Sequence, residues 1–111
     1  MGVKIDRLNS IFVKEISKIL QNDIKDENIK FVTVTGCEIT NDLSFAKVYV
    51  TIFDKEKKGT TLKALEKAKG FIRTELSQRV DMRHTPELRF IFDESIEYGE
   101  KIERIIKDLK K

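Results

Sequence analysis

Apolar residues recur along this chain with a helical period, then an alternating one, then a helical one again. Ile5, Leu8, Phe12, Ile16 and Ile19 stand three or four residues apart, which stacks them on one side of a helix over about 4–23. Lys4, Arg7, Lys14 and Lys18 gather on another side, with Ile11 among them. They read as a solvated stripe beside the core stripe, or as a second phosphate-facing surface. Residues 23–30 are polar and read as a loop. The stretch 31–40 is rich in β-branched residues and reads as a strand. Val32 and Val34 alternate, and the apolar parity then passes to Cys37 and Ile39. Gly36 sits at the change of phase, where an isolated strand glycine marks a bulge. Asn41 to Ser44 is a turn. A second strand follows over 45–53, with Ala46, Val48, Val50 and Ile52 on one face. Phe45, Lys47, Tyr49, Thr51 and Phe53 form the other. Aromatics beside a lysine suit base stacking, but on a small sheet their commoner use is packing under an added helix.

After the polar stretch 54–60, Thr60 or Thr61 is placed to cap a helix. Its buried stripe is Leu62, Leu65, Ala68 and Ile72, and Gly70 interrupts it. Glycine costs about 1 kcal/mol in a helix interior relative to alanine, so its presence predicts a bend or a close backbone approach. The pattern resumes through Phe71, Ile72, Leu76 and Val80, giving a bent helix pair over about 61–82. His84-Thr85-Pro86 ends it, because proline disfavours helix in the residue before it. Leu88, Phe90 and Phe92 share one face of a third strand over 88–93. Ser95 caps a last helix over about 95–110, with Tyr98, Ile102, Ile105, Ile106 and Leu109 on one side and lysines at its C-terminus. The predicted order is α-β-β-α-(bend)-α-β with a C-terminal helix, an α+β chain with a three-stranded sheet.

The 111 residues suffice for one domain and are too few for two. No run of 18 apolar residues is present, so no membrane span is expected, and the N-terminus lacks the apolar stretch of a secretory signal. The single cysteine, Cys37, fits a reducing, cytoplasmic setting and reads as a small buried residue with no basic neighbour to activate it. Net charge is only +3, but it is unevenly placed. Residues 57–89 hold five Lys and four Arg against four acids, a net +5, which leaves −2 for the rest. Such a patch is the footprint of an anionic partner, or simply a solvated lysine-rich face.

No catalytic constellation stands out. His84 and Cys37 lie in different elements and are too few for a metal site. No phosphate-binding glycine loop of known pattern is present. His84 reads as a loop residue rather than a general base. The expectation is a binding protein, not an enzyme, with no cofactor.

The predicted bend places a bare backbone and a fresh helix N-terminus in the basic stretch, and both suit a phosphate. Lys63, Lys67, Lys69, Gly70 and Arg73 lie at the bend; Arg79, Arg83 and Arg89 continue the charge. At these residues the chain resembles the ribosome-binding factor A family. The resemblance runs from about Ile5 to Leu109. It is carried by Val32-Thr33-Val34-Thr35, by Asp42-Leu43-Ser44 followed by Ala46-Lys47-Val48-Tyr49-Val50, by Leu65 to Arg73, by Arg83 to Phe90, and by Asp93-Glu94-Ser95-Ile96.

The resemblance implies a single type II KH-like RNA-binding domain over 1–111, with Ala68-Lys69-Gly70 in place of the usual glycine loop. It implies a cytoplasmic assembly factor without enzymatic activity. Such a factor binds the immature small ribosomal subunit and its rRNA, and supports late maturation, 5′-end processing and growth in the cold. Lys63, Lys67, Lys69, Gly70, Arg73, Arg79 and Arg83 are then the expected RNA-binding residues, and a monomer is expected. Two competing readings are a generic KH-type module for single-stranded RNA and a protein-interaction module using Ser95 to Lys110.

Overall fold

The computed structural model of the chain describes residues 2–29 and 31–94. The predicted last helix, about 95–110, lies outside them. Helix α1 spans Gly2–Lys18. Its apolar stripe is buried as the periodicity requires, with Phe12 and Ile16 fully inside. The helix does not simply stop near Asp23. It widens into one π-helical turn, Ile19–Asp23. The wider turn lets two consecutive residues, Ile19 and Leu20, both reach the core. The polar stretch that follows is not all loop. Glu27–Ile29 forms a short 3-10 turn that buries Ile29, and Asp26 Oδ1 accepts from the Asn28 amide at 3.0 Å.

Strands β1 (Val32–Ile39) and β2 (Phe45–Ile52) pair antiparallel. The register shifts between Val34 and Gly36, the bulge that the change of parity predicts. Thr35 is the extra residue, and its hydroxyl donates to Asp93 Oδ2 at 2.6 Å. Asp42 shapes the connecting turn by accepting from Thr40 Oγ1 at 2.8 Å and from the Ser44 amide at 3.0 Å. These bonds hold its carboxyl below the usual range, the Ser44 amide contributing most. Leu43, between them, carries a positive φ of 62°.

Strand β3 (Glu87–Phe92) lies parallel to β2 on its free side, giving the order β1-β2-β3. Parallel neighbours cannot be joined by a hairpin, so the chain crosses over the sheet between them. Helix α2, Lys58–Arg79, makes that crossing. With α1 it covers one sheet face, and the core closes around Leu65, Ile72, Leu76, Val48, Val50 and Leu88. The other face carries Phe45 with the Arg89 guanidinium 4.0 Å above its ring, Tyr49 donating to Glu38 at 3.2 Å, and a tilted Phe31–Phe53 pair.

Two expectations for α2 are corrected. The predicted break into two helices is absent: the backbone stays helical through Gly70, whose φ is not positive, and no second helix begins there. A lone glycine lowers helix propensity but removes no hydrogen bond, so a helix held by a buried stripe on both sides of it continues through the position. The cap is also misplaced. Thr61 is buried inside the helix, which starts three residues earlier. A 3-10 turn, Lys55–Lys57, leads in, and Asp54 holds it by accepting from the Glu56 amide at 3.1 Å.

A Cβ at Gly70 would meet no atom within 4 Å. Gly70→Ala should therefore stabilise the fold by roughly 0.5–1 kcal/mol in urea unfolding; a loss of stability would show that the fold needs glycine at this position. Cys37 is half-buried in β1, and burial first, then the Glu38 charge, push its thiol up to about 12. A raised pKa means stability that is intact below the ordinary value of 9.0 and is lost as pH climbs toward 12. At pH 8 the native thiolate is about one part in ten thousand. A thiol reagent should thus label Cys37 slowly in the native protein and rapidly in urea.

Candidate nucleic-acid interface

Helix α2 positions six of the seven expected RNA-binding residues, and Arg83 follows in the exposed loop before β3. The helix does not present them together. Its buried stripe is Thr61, Ala64, Leu65, Ile72 and Leu76. At about 100° per residue, Lys63, Lys67, Gly70 and Thr74 fall on the opposite, outward side. Lys69 and Arg73 fall on one flank, and Arg79 falls back toward α1.

Their partners follow from those directions. Arg73 donates to the Thr85 carbonyl through Nε at 3.1 Å and Nη2 at 2.7 Å, fixing the loop that leads into β3. Arg79 joins the ends of the two helices. Its guanidinium pairs with Asp23 of the π-helical turn, with Glu15 of α1 at 3.5 Å and with Glu75 one turn back at 3.8 Å. Lys69 pairs with Glu66 at 3.2 Å. Lys58, at the start of the helix, sits 4.2 Å from the Phe92 ring centroid. Lys63, Lys67 and Arg83 are exposed and pair with nothing among the described residues.

The positive end of a helix dipole, expected at Gly70, lies instead at Lys58. Gly70 still offers an exposed stretch of helix without a side chain, flanked on the outward side by Lys67 and Thr74. The Thr74 hydroxyl turns inward and donates to the Gly70 carbonyl at 2.9 Å.

Lys63 and Lys67 also line an open cleft of about 540 Å³ between the first turns of α2 and the 3-10 turn before β1. Asp26, Asn28 and Thr60 complete its polar wall. These three were not among the residues expected from sequence. Asp26 two before Asn28 does signal a local side-chain turn, but nothing local says that this turn faces α2. His84 is exposed in the loop beside Arg83 and touches none of this cleft.

Known proteins resemble this chain in sequence and in fold. A family model described as ribosome-binding factor A matches residues 4–106. Ribosome-binding factor A of Staphylococcus carnosus is 50% identical over 110 residues, covering 98% of this chain and 96% of that protein. That of Staphylococcus saprophyticus is 50% identical over 112 residues, covering 100% and 98%. Among solved structures, the crystal structure of ribosome-binding factor A from Thermus thermophilus superposes with a TM-score of 0.73 at 26% identity, over 78% of this chain and 93% of that one. A homology model of the Thermus thermophilus factor, fitted into a cryo-electron-microscopy map of its complex with 30S, superposes with a TM-score of 0.68 at 28% identity, over 81% of this chain and 96% of that one. The family match over residues 4–106 and the half-identical relatives of near-complete coverage show that the chain belongs to the ribosome-binding factor A family.

Proposed function

We propose that this chain is a cytoplasmic assembly factor that binds the immature small ribosomal subunit as a monomer. In this reading residues 1–111 act as one KH-like RNA-binding domain, and binding supports late maturation and 5′-end processing of the subunit's rRNA. The observation that carries the reading is the division of labour along α2, in a chain of this family. Cations that face inward or sideways are held by protein groups, and those that face outward have no partner among the described residues. The fitted 30S complex of the Thermus relative supports the choice of partner. Lys63, Lys67 and Arg83 contact phosphates, and Gly70 lets the rRNA backbone approach the bare helix. Lys69 contributes less, since Glu66 already pairs with it. Arg73 and Arg79 act as positioning residues for the loop and the helix ends. The protein works by binding and carries out no chemistry of its own.

Phosphate contacts release counterions, so each one lost lowers the salt dependence of binding. The Lys63→Gln, Lys67→Gln protein should bind isolated small subunits about ten-fold or more weakly at low salt. Its log–log salt slope should be shallower by about 1.5–2. Undiminished binding by the folded double variant would refute the surface. Arg73→Ala should behave oppositely to the lysine pair. It loses two hydrogen bonds from a charged donor, so its unfolding free energy should fall by about 1–3 kcal/mol, and its subunit affinity under native conditions should change little.

A further inference from the structure

The cleft between α2 and the 3-10 turn holds groups of both signs, and they do not satisfy one another. Lys63 and Lys67 stand on one wall and Asp26 on another. Neither lysine pairs with the carboxylate or with any other group among the described residues. Asp26 is half used: Oδ1 accepts from the Asn28 amide at 3.0 Å, and Oδ2 accepts no hydrogen bond from any of the described residues. An open carboxylate oxygen would repel a simple polyanion. It would welcome a ligand that carries a hydrogen-bond donor beside its negative charge. Ribose-phosphate is such a ligand. Its phosphodiester suits the lysines, and its 2′-hydroxyl can donate to a carboxylate. Deoxyribose-phosphate has the same charge and lacks the donor.

We infer that this cleft binds one ribonucleotide of the bound RNA, with Lys63 and Lys67 on the phosphate and Asp26 Oδ2 accepting from the 2′-hydroxyl, so that the site selects RNA over DNA. The inference rests on the reading of the chain as an RNA-binding factor and adds the group that tells RNA from DNA. The cleft volume, about 540 Å³, falls within the range of sites for small ligands, about 300–1,000 Å³. The fold gives the carboxylate its position. Asp26 also accepts from the Ile29 amide through its carbonyl, at 3.0 Å, and Ile29 is buried in the core, so the turn is pinned at its far end. Asn28 and Thr60 supply neutral polar groups beside it.

The isosteric variant Asp26→Asn isolates the claim. Its amide oxygen keeps the bond to the Asn28 amide, and an NH2 donor replaces the open oxygen. Amide chemical shifts of labelled protein would be followed on titration with the ribodinucleotide UpU and with its 2′-deoxy counterpart. The wild type should shift at Asn28, Thr60, Lys63 and Lys67 and bind the ribodinucleotide about ten-fold more tightly, the ratio one charge-assisted hydrogen bond supplies. Asp26→Asn should bring the two ligands level, and Lys63→Gln should weaken both. Equal affinities for the wild type, shifts elsewhere, or a preference that survives Asp26→Asn would each overturn the inference.

Sedimentation of the wild type with small subunits separates this claim from the broader one. A protein that binds subunits but shows no ribose preference overturns the cleft and keeps the subunit reading. A protein that prefers the ribodinucleotide but stays off subunits does the reverse.

Discussion

The parallel placement of β3 beside β2 is the constraint on which the rest depends. A parallel neighbour demands a crossover, and the crossover must lie on a sheet face. That places α2 on the same face as α1, with one stripe buried and the opposite side turned to solvent. Two arginines then hold the crossover in place. Arg79 joins the C-terminal ends of the helices through Asp23 and Glu15, and Arg73 holds the returning loop by the Thr85 carbonyl. Individually, such partly exposed pairs are worth little. Here they act where the chain reverses direction, beside the buried Val80 and the half-buried Met82. Pro86, fully buried at that point, completes the entry.

Gly70 shows how a correct signal can carry a wrong cause. A glycine in a helix interior does lower stability, and the lowered stability does call for an explanation. A break between two helices is one explanation, and the continuous helix removes it. Crowding is another, and the open space around the position removes that too. What remains is outward access: a side-chain-free patch on the solvent side of α2, beside Lys67 and in line with Lys63. Within this fold the glycine leaves that stretch of helix backbone uncovered.

The elements legible in sequence are those whose cause is local. The alternation in β2, the parity change at Gly36 and the spacing from Leu8 to Ile19 each read correctly, because a face of a strand or helix is a matter of neighbours in sequence. The start of α2 was missed because Asp54 acts through a short 3-10 turn, so the helical run begins before the threonines that look like caps. The π-helical turn was missed because it answers a packing need, two adjacent buried residues, and not a residue preference. The candidate site was legible in part. Its lysines announce themselves by charge, whereas Asp26 and Asn28 face them only because the crossover carries α2 past the turn before β1.

Charge counts alone misjudge this surface for the same reason. Residues 57–89 carry a net +5 by sequence, yet much of that charge is engaged by protein groups. Arg79 is shared among three carboxylates, Lys69 is matched by Glu66, Arg73 is turned onto a carbonyl, and Arg89 and Lys58 lie over aromatic rings. An anionic partner must compete with those contacts for the donors of these cations, and finds donors unengaged among the described residues at Lys63, Lys67 and Arg83. Which cations stand unengaged is therefore set by helix angle as well as by composition: Lys63 and Lys67 face outward from α2, whereas Arg73 and Arg79 are turned to protein groups. That outward side is also the one on which the backbone at Gly70 is open.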